Sequence, residues 1–158
     1  MTLEQASKLA EDGDLEGALR VVLPMLDENF DNPQVLFIIG YIFIKSEKIG
    51  LAYQCFERAS KISPNMAAIW ANMGKCYHEQ QNLDGAETVF RKALSIDPDY
   101  SLALNNMGLI KLNKCEYTLG IEYCERALKF DPDNNDAKIN KALCNLAIGK
   151  WDWENYNK

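Results

Sequence analysis

Gly40, Gly74 and Gly108 stand 34 residues apart, and so do Ala59, Ala93 and Ala127, and again Pro64, Pro98 and Pro132. Three residue types recurring with one period in a chain of 158 residues point to a stack of equal supersecondary units, each too small to bury its own apolar face. The full units run 33–66, 67–100 and 101–134, with a partial unit over 1–32 and another over 135–158, so the array is read as filling the chain.

Inside a unit the apolar spacing is helical. Leu36, Ile39, Gly40 and Phe43 correspond to Trp70, Met73, Gly74 and Tyr77, and steps of three and four put each set on one helix face, helix A. After a polar break such as Gln80-Gln81-Asn82, Ala86, Phe90 and Ala93 repeat the spacing in helix B. Helix B should end at Ser63, Asp97 and Asp131, because the following proline pushes its predecessor out of the α region and has no N–H to donate. Glycine and alanine at Gly40, Ala52 and Ala59 let neighbouring helices approach to about 8–10 Å, with the aromatic side chains as knobs.

The pattern Trp70, Met73-Gly74, Tyr77, Ala86, Phe90, Ala93 and Pro98 resembles the tetratricopeptide repeat, written W-x2-L-G-x2-Y, A-x3-F-x2-A, P. The resemblance implies an all-α fold, a right-handed superhelical solenoid of antiparallel helix pairs, and a protein-binding scaffold. At the edges the pattern departs. Ala6, Gly13 and Ala18 fit the second half of an opening repeat, but Pro24 is expected to kink or cut short its B helix, and Phe30 replaces the ladder proline. Lys111 stands where Phe43 and Tyr77 are aromatic, and Cys124 stands for Phe56 and Phe90, so looser packing is expected in the third unit. From Gly149-Lys150-Trp151 a further B-type helix begins and stops at Lys158 without a polar cap, which leaves a homo-oligomer through that end as an expectation.

Other classes are disfavoured by composition. A net charge of -6, with no block of lysine and arginine, offers nothing to a phosphate backbone or an anionic lipid surface, so neither nucleic acid nor membrane is an expected partner. The longest apolar run, residues 35–44, is far short of the roughly 20 that span a bilayer, and the N-terminus lacks the basic start of a secretory signal. Five cysteines with no C-x-x-C pair suggest a reducing cytoplasm rather than a disulfide or zinc framework. The single histidine, His78, excludes a two-histidine metal site, and no phosphate-cradling glycine loop occurs; no enzyme, cofactor or metal is expected, and His78 is given a binding role at most.

In the resembling family the A helices line a concave groove. Carried over by position, the lining is Phe37, Tyr41, Ile44 and Lys45, then Ala68, Ala71, Asn72, Lys75, His78 and Glu79. It continues through Leu102, Asn105, Asn106, Leu109, Leu112 and Asn113 to Asp136, Ile139, Asn140, Leu143 and Leu146. Asn72, Asn106 and Asn140 make a ladder of identical carboxamides at the repeat spacing, each able to give and accept a hydrogen bond with one peptide group. The ladder resembles the peptide-holding groove of arrays that precede a glycosyltransferase domain, so the recognition half of a larger enzyme is an alternative, and a self-assembling structural protein is another. Chaperone-binding members carry basic residues where this chain has Phe37, Tyr41 and Asn106, so the implied ligand is an extended apolar segment or an amphipathic helix.

Overall fold

A computed structural model describes residues 2–28 and 31–149 of the chain. The described residues form helices α1 (Leu3–Glu11), α2 (Leu15–Glu28), α3 (Pro33–Lys45), α4 (Ile49–Ile62), α5 (Ala67–Glu79), α6 (Leu83–Ile96), α7 (Ser101–Asn113), α8 (Tyr117–Phe130) and α9 (Asn135–Ala147), with no strand among them. None of these helices is long and apolar enough to cross a membrane.

Local chemistry sets each boundary. Asn32 accepts hydrogen bonds from the N–H groups of Gln34 and Val35, with Pro33 at the first helical position. Asn82 caps α6 through the Gly85 N–H, and Asn134 caps α9 through the Ala137 N–H. The B helices α4, α6 and α8 stop before proline, and Ser63, Asp97 and Asp131 all take φ between -128° and -134° with ψ between 75° and 97°. Each A helix ends in a left-handed residue: Gly13, Glu47, Gln81, Cys115 and Gly149 have φ of 89°, 59°, 60°, 61° and 71°. At Glu47 the closing bonds are Glu47 N–H to Ile44 O and Lys48 N–H to Phe43 O, and the same pair recurs at Gln81-Asn82 and Cys115-Glu116. These five residues also lie 34 apart, a ladder that side-chain identity conceals.

Packing within a pair rests on close approach. A Cβ built on Gly74 would meet the Phe90 ring at 2.5 Å, and one on Gly40 would meet the Phe56 ring at 2.8 Å; both rings are wholly buried. The third pair uses smaller parts. Cys124 packs on Gly108, and Gly108 and Gly120 bring the two backbones together, with each carbonyl 3.3 Å from the Cβ position of the other glycine. The third unit is therefore not looser than its neighbours, because the lost ring volume is closed by backbone approach. Nor is α2 cut short at Pro24, through which it runs to Glu28; Pro24 is exposed, so water can reach the carbonyl that the missing N–H would have bonded. The expectations for Phe30 and for the helix from Lys150 to Lys158 lie outside the described residues.

Each helix packs antiparallel on the next, α1 also packs on α3, and α3 with α5, α5 with α7 and α7 with α9 likewise, whereas among the described residues the backbones of α2, α4, α6 and α8 stand apart from one another. Inner helices in contact and outer helices splayed apart make a curved solenoid with the A helices on the concave side.

Lys111 is the largest departure from the ladder and is almost wholly buried. Its ammonium lies 2.8 Å from Glu87 Oε1 and 3.0 Å from Glu116 Oε2, while Glu87 also takes Lys114 at 2.7 Å and Arg91 at 2.6 Å. Burial alone would raise the Glu87 carboxyl, but the hydrogen bonds from Lys111, Lys114 and Arg91 outweigh it and bring the group down from 4.5 to about 2. Because the folded value is the lower one, the stability that Glu87 contributes is complete above about pH 4.5 and is lost as the pH falls toward 2. We expect Glu87→Gln to destabilise the chain by about 2 kcal/mol at pH 7, since the buried Lys111 ammonium is left with Glu116 alone and Lys114 with Asp84. In urea unfolding the gap between variant and parent should close steadily between pH 4.5 and 2.

Candidate functional site

Two adjoining cavities lie along the concave face. The first, about 330 Å³, is walled by Ser7, Ala10 and Glu11 of α1, by Phe37, Ile38 and Tyr41 of α3, by Asn72 and Lys75 of α5, and by Tyr100 and Leu102 at the start of α7. The second, about 230 Å³, lies among Ile44, Ile49, Lys75, Cys76, His78 and Glu79, and is closed by Asn106 and Leu109. Lys75 belongs to both.

The structure thus brings together Phe37, Tyr41, Asn72 and Lys75 in one cavity, and Ile44, Lys75, His78, Asn106 and Leu109 in the other. The Phe37 ring packs edge-on against Phe56 with centroids 5.8 Å apart, which holds it in place. His78 Nε2 accepts from the Asn113 amide at 3.1 Å, so the imidazole is tied to the neighbouring A helix. Asn105, Leu112, Asn140 and Leu143 line neither cavity; Asn105 is buried, Leu112 half-buried and Leu143 exposed.

The three asparagines differ in what they offer. Asn72 donates to Ala68 O at 2.8 Å and Asn106 to Leu102 O at 2.7 Å, so in both one amide hydrogen is spent on the turn below. Asn72 is only 3 % exposed, and its Oδ1 has no hydrogen-bond partner. A buried acceptor without a donor costs about 1–3 kcal/mol. Asn140 instead donates to Asn105 Oδ1 at 3.0 Å in a buried pair between α7 and α9, so it joins two units and faces no cavity.

The electrostatics centre on Lys75. Burial lowers its amine below the ordinary lysine value and the Lys45 cation lowers it further, against the opposing pull of Asp136, Cys76 and Glu79. The buried thiols are poor nucleophiles: burial pushes Cys76 up to about 11 and Cys124 up to about 12. Among the described residues no cluster of three His, Cys, Asp or Glu side chains could hold a metal ion.

Several walls escaped the sequence reading. Ser7 and Glu11 are one period before Tyr41 and Lys45, so subtraction alone could have placed them. Tyr100 has no such signal: it is the residue before α7, where the preceding unit has Met66, and only the stacking of α7 on α5 turns it toward the groove.

Two tetratricopeptide-repeat family models match the chain, over residues 43–107 and 102–134. Among relatives, protein O-mannosyl-transferase TMTC1 of Mus musculus is 29% identical over 146 residues, which is 90% of this chain and 16% of that protein. The chain spans 16–30% of the length of the first curated relatives it matches. Among solved structures, MamA superposes with a TM-score of 0.75 at 19% identity, covering 92% of this chain and 85% of that one. The first repeat domain of Spaghetti (RPAP3), bound to the HSP90 peptide SRMEEVD, superposes with 0.71 at 20% identity, covering 74% and 93%.

Removing Asn72 and removing Asn140 should have different consequences. Asn140→Ala strands the buried Asn105 carbonyl and is expected to cost about 1–3 kcal/mol, whereas Asn72→Ala deletes an unsatisfied acceptor and should change stability by less than about 1 kcal/mol. Chemical denaturation of the two variants measures both.

Proposed function

The chain belongs to the tetratricopeptide-repeat family, and we propose that it is a non-catalytic scaffold holding a segment of another protein in the groove lined by α1, α3, α5 and α7. Residues 1–158 are taken as one array, with partial repeats over 1–32 and 135–158 around the repeats 33–66, 67–100 and 101–134. The observation that carries the reading is the pair of adjoining, mostly apolar cavities on the concave face that share Lys75. Two neighbouring apolar hollows suit an extended segment, which offers side chains to the hollows and an N–H group to the half-buried Asn106. The peptide held by the RPAP3 domain is a precedent for such use of this fold. The five free thiols are consistent with a reducing compartment, the cytosol.

The similarity to part of an O-mannosyl-transferase supports one runner-up, in which the array is the recognition part of a larger enzyme.

Selection of random dodecapeptides on the immobilised chain tests the groove. Leu109→Glu places a carboxylate in the wall of the second cavity and is expected to abolish capture of the selected peptides with helicity unchanged. Undiminished capture would sink the groove as the binding surface.

A second contact is supported by α9, where Ile139, Leu143 and Leu146 are all exposed. If copies associate through that face, light scattering will give a mass that rises with concentration and falls back in Leu143→Glu. A mass that stays at 17.9 kDa throughout rejects the association.

A further inference from the structure

Resting on the groove reading, we propose that the bound segment carries an internal aspartate or glutamate whose carboxylate sits between Lys45 and Lys75, with apolar residues on either side of it filling the two cavities.

Charge is the first ground. Lysines elsewhere near the groove are matched: Lys111 by Glu87 and Glu116, Lys114 by Asp84 and Glu87, and Lys141 by Glu125. Among the described residues no carboxylate lies within ion-pairing distance of Lys45 or Lys75. Among the described residues Lys75 has no hydrogen-bond partner, and Lys45 lies over the Tyr41 ring, 5.4 Å from its ammonium. Yet the two are close enough for one cation to destabilise the other. Glu79, Asp136 and Glu11 lie around the site, and the first two ease Lys75 without neutralising it. A half-buried Lys75 with the exposed Lys45 cation near it, in a chain of net charge -6, favours an anion between them.

Position is the second ground. Lys75 stands where the two cavities meet, so a segment that fills both must pass it in mid-course. A C-terminal carboxylate at the same point would leave one cavity without chain. The walls on either side are apolar, Phe37, Ile38 and Leu102 on one and Ile44, Ile49 and Leu109 on the other, so the flanking residues are apolar too.

The test uses an array of N-acetylated, C-amidated nonapeptides of Leu, Val, Ala and Ser with Glu, Gln, phosphoserine or Lys at the centre, and Gln-centred peptides ending in a free carboxylate. Binding is read by fluorescence anisotropy on the parent chain and on Lys75→Met, Lys45→Met and Leu109→Glu, each checked for helicity. Glu at the centre should bind about tenfold more tightly than Gln. The preference should vanish in Lys75→Met and shrink in Lys45→Met, with the Gln peptides unchanged. Equal binding of Glu and Gln peptides overturns the inference, as does a Glu preference that survives both lysine variants. Tighter binding of the free-carboxylate or the phosphoserine peptides overturns it as well. If peptides bind, Leu109→Glu abolishes their binding and no acid preference is seen, the groove stands and only the carboxylate falls; if no peptide binds, both fall.

Discussion

A bare glycine facing a ring sets the distance between the two helices in the units 33–66 and 67–100. At Gly40 and Gly74 an aromatic side chain from the B helix occupies the space a methyl group would need, so the A helix can come no nearer and need stand no further away. With that distance repeated along the chain, successive A helices meet on the inside while among the described residues the backbones of successive B helices stand apart. Curvature, and with it the groove, is the sum of these equal steps.

The third pair shows how much freedom the constraint leaves. Cys124 in place of phenylalanine would open a void in a rigid frame, but Gly108 and Gly120 let the backbones close on each other. Lys111 in place of an aromatic would bury a charge, but Glu87, reaching over from α6, and Glu116, just past the end of α7, satisfy it. Each exception is met by a compensating contact, and in the case of Glu87 the contact crosses into the preceding unit.

Polar groups on the concave face divide in the same way between structure and readiness to bind. Asn140 and Asn105 satisfy each other and join α9 to α7. Asn72 keeps a buried acceptor without a donor, and Lys75, which lines both cavities, has no carboxylate within ion-pairing distance among the described residues. Unspent polar capacity at a place walled by apolar side chains separates a recognition surface from a well-packed one.

The period of 34, the breaks at Ser63, Asp97 and Asp131, and the helical faces were legible in the sequence because they rest on contacts between near neighbours and on the fixed geometry of proline and glycine. From those follows the all-α stack, whereas the side on which its groove lies came from the resemblance to the repeat family. The left-handed ladder at Gly13, Glu47, Gln81, Cys115 and Gly149 was hidden, since Schellman bonds between main-chain groups impose that conformation on whichever residue stands there. So was the parting of three identical asparagines, as it depends on whether the next A helix presents a partner such as Asn105 or an open cavity. Which residue faces which across units is decided only when the units stack, because side chains more than 20 residues apart in the chain become nearest neighbours there.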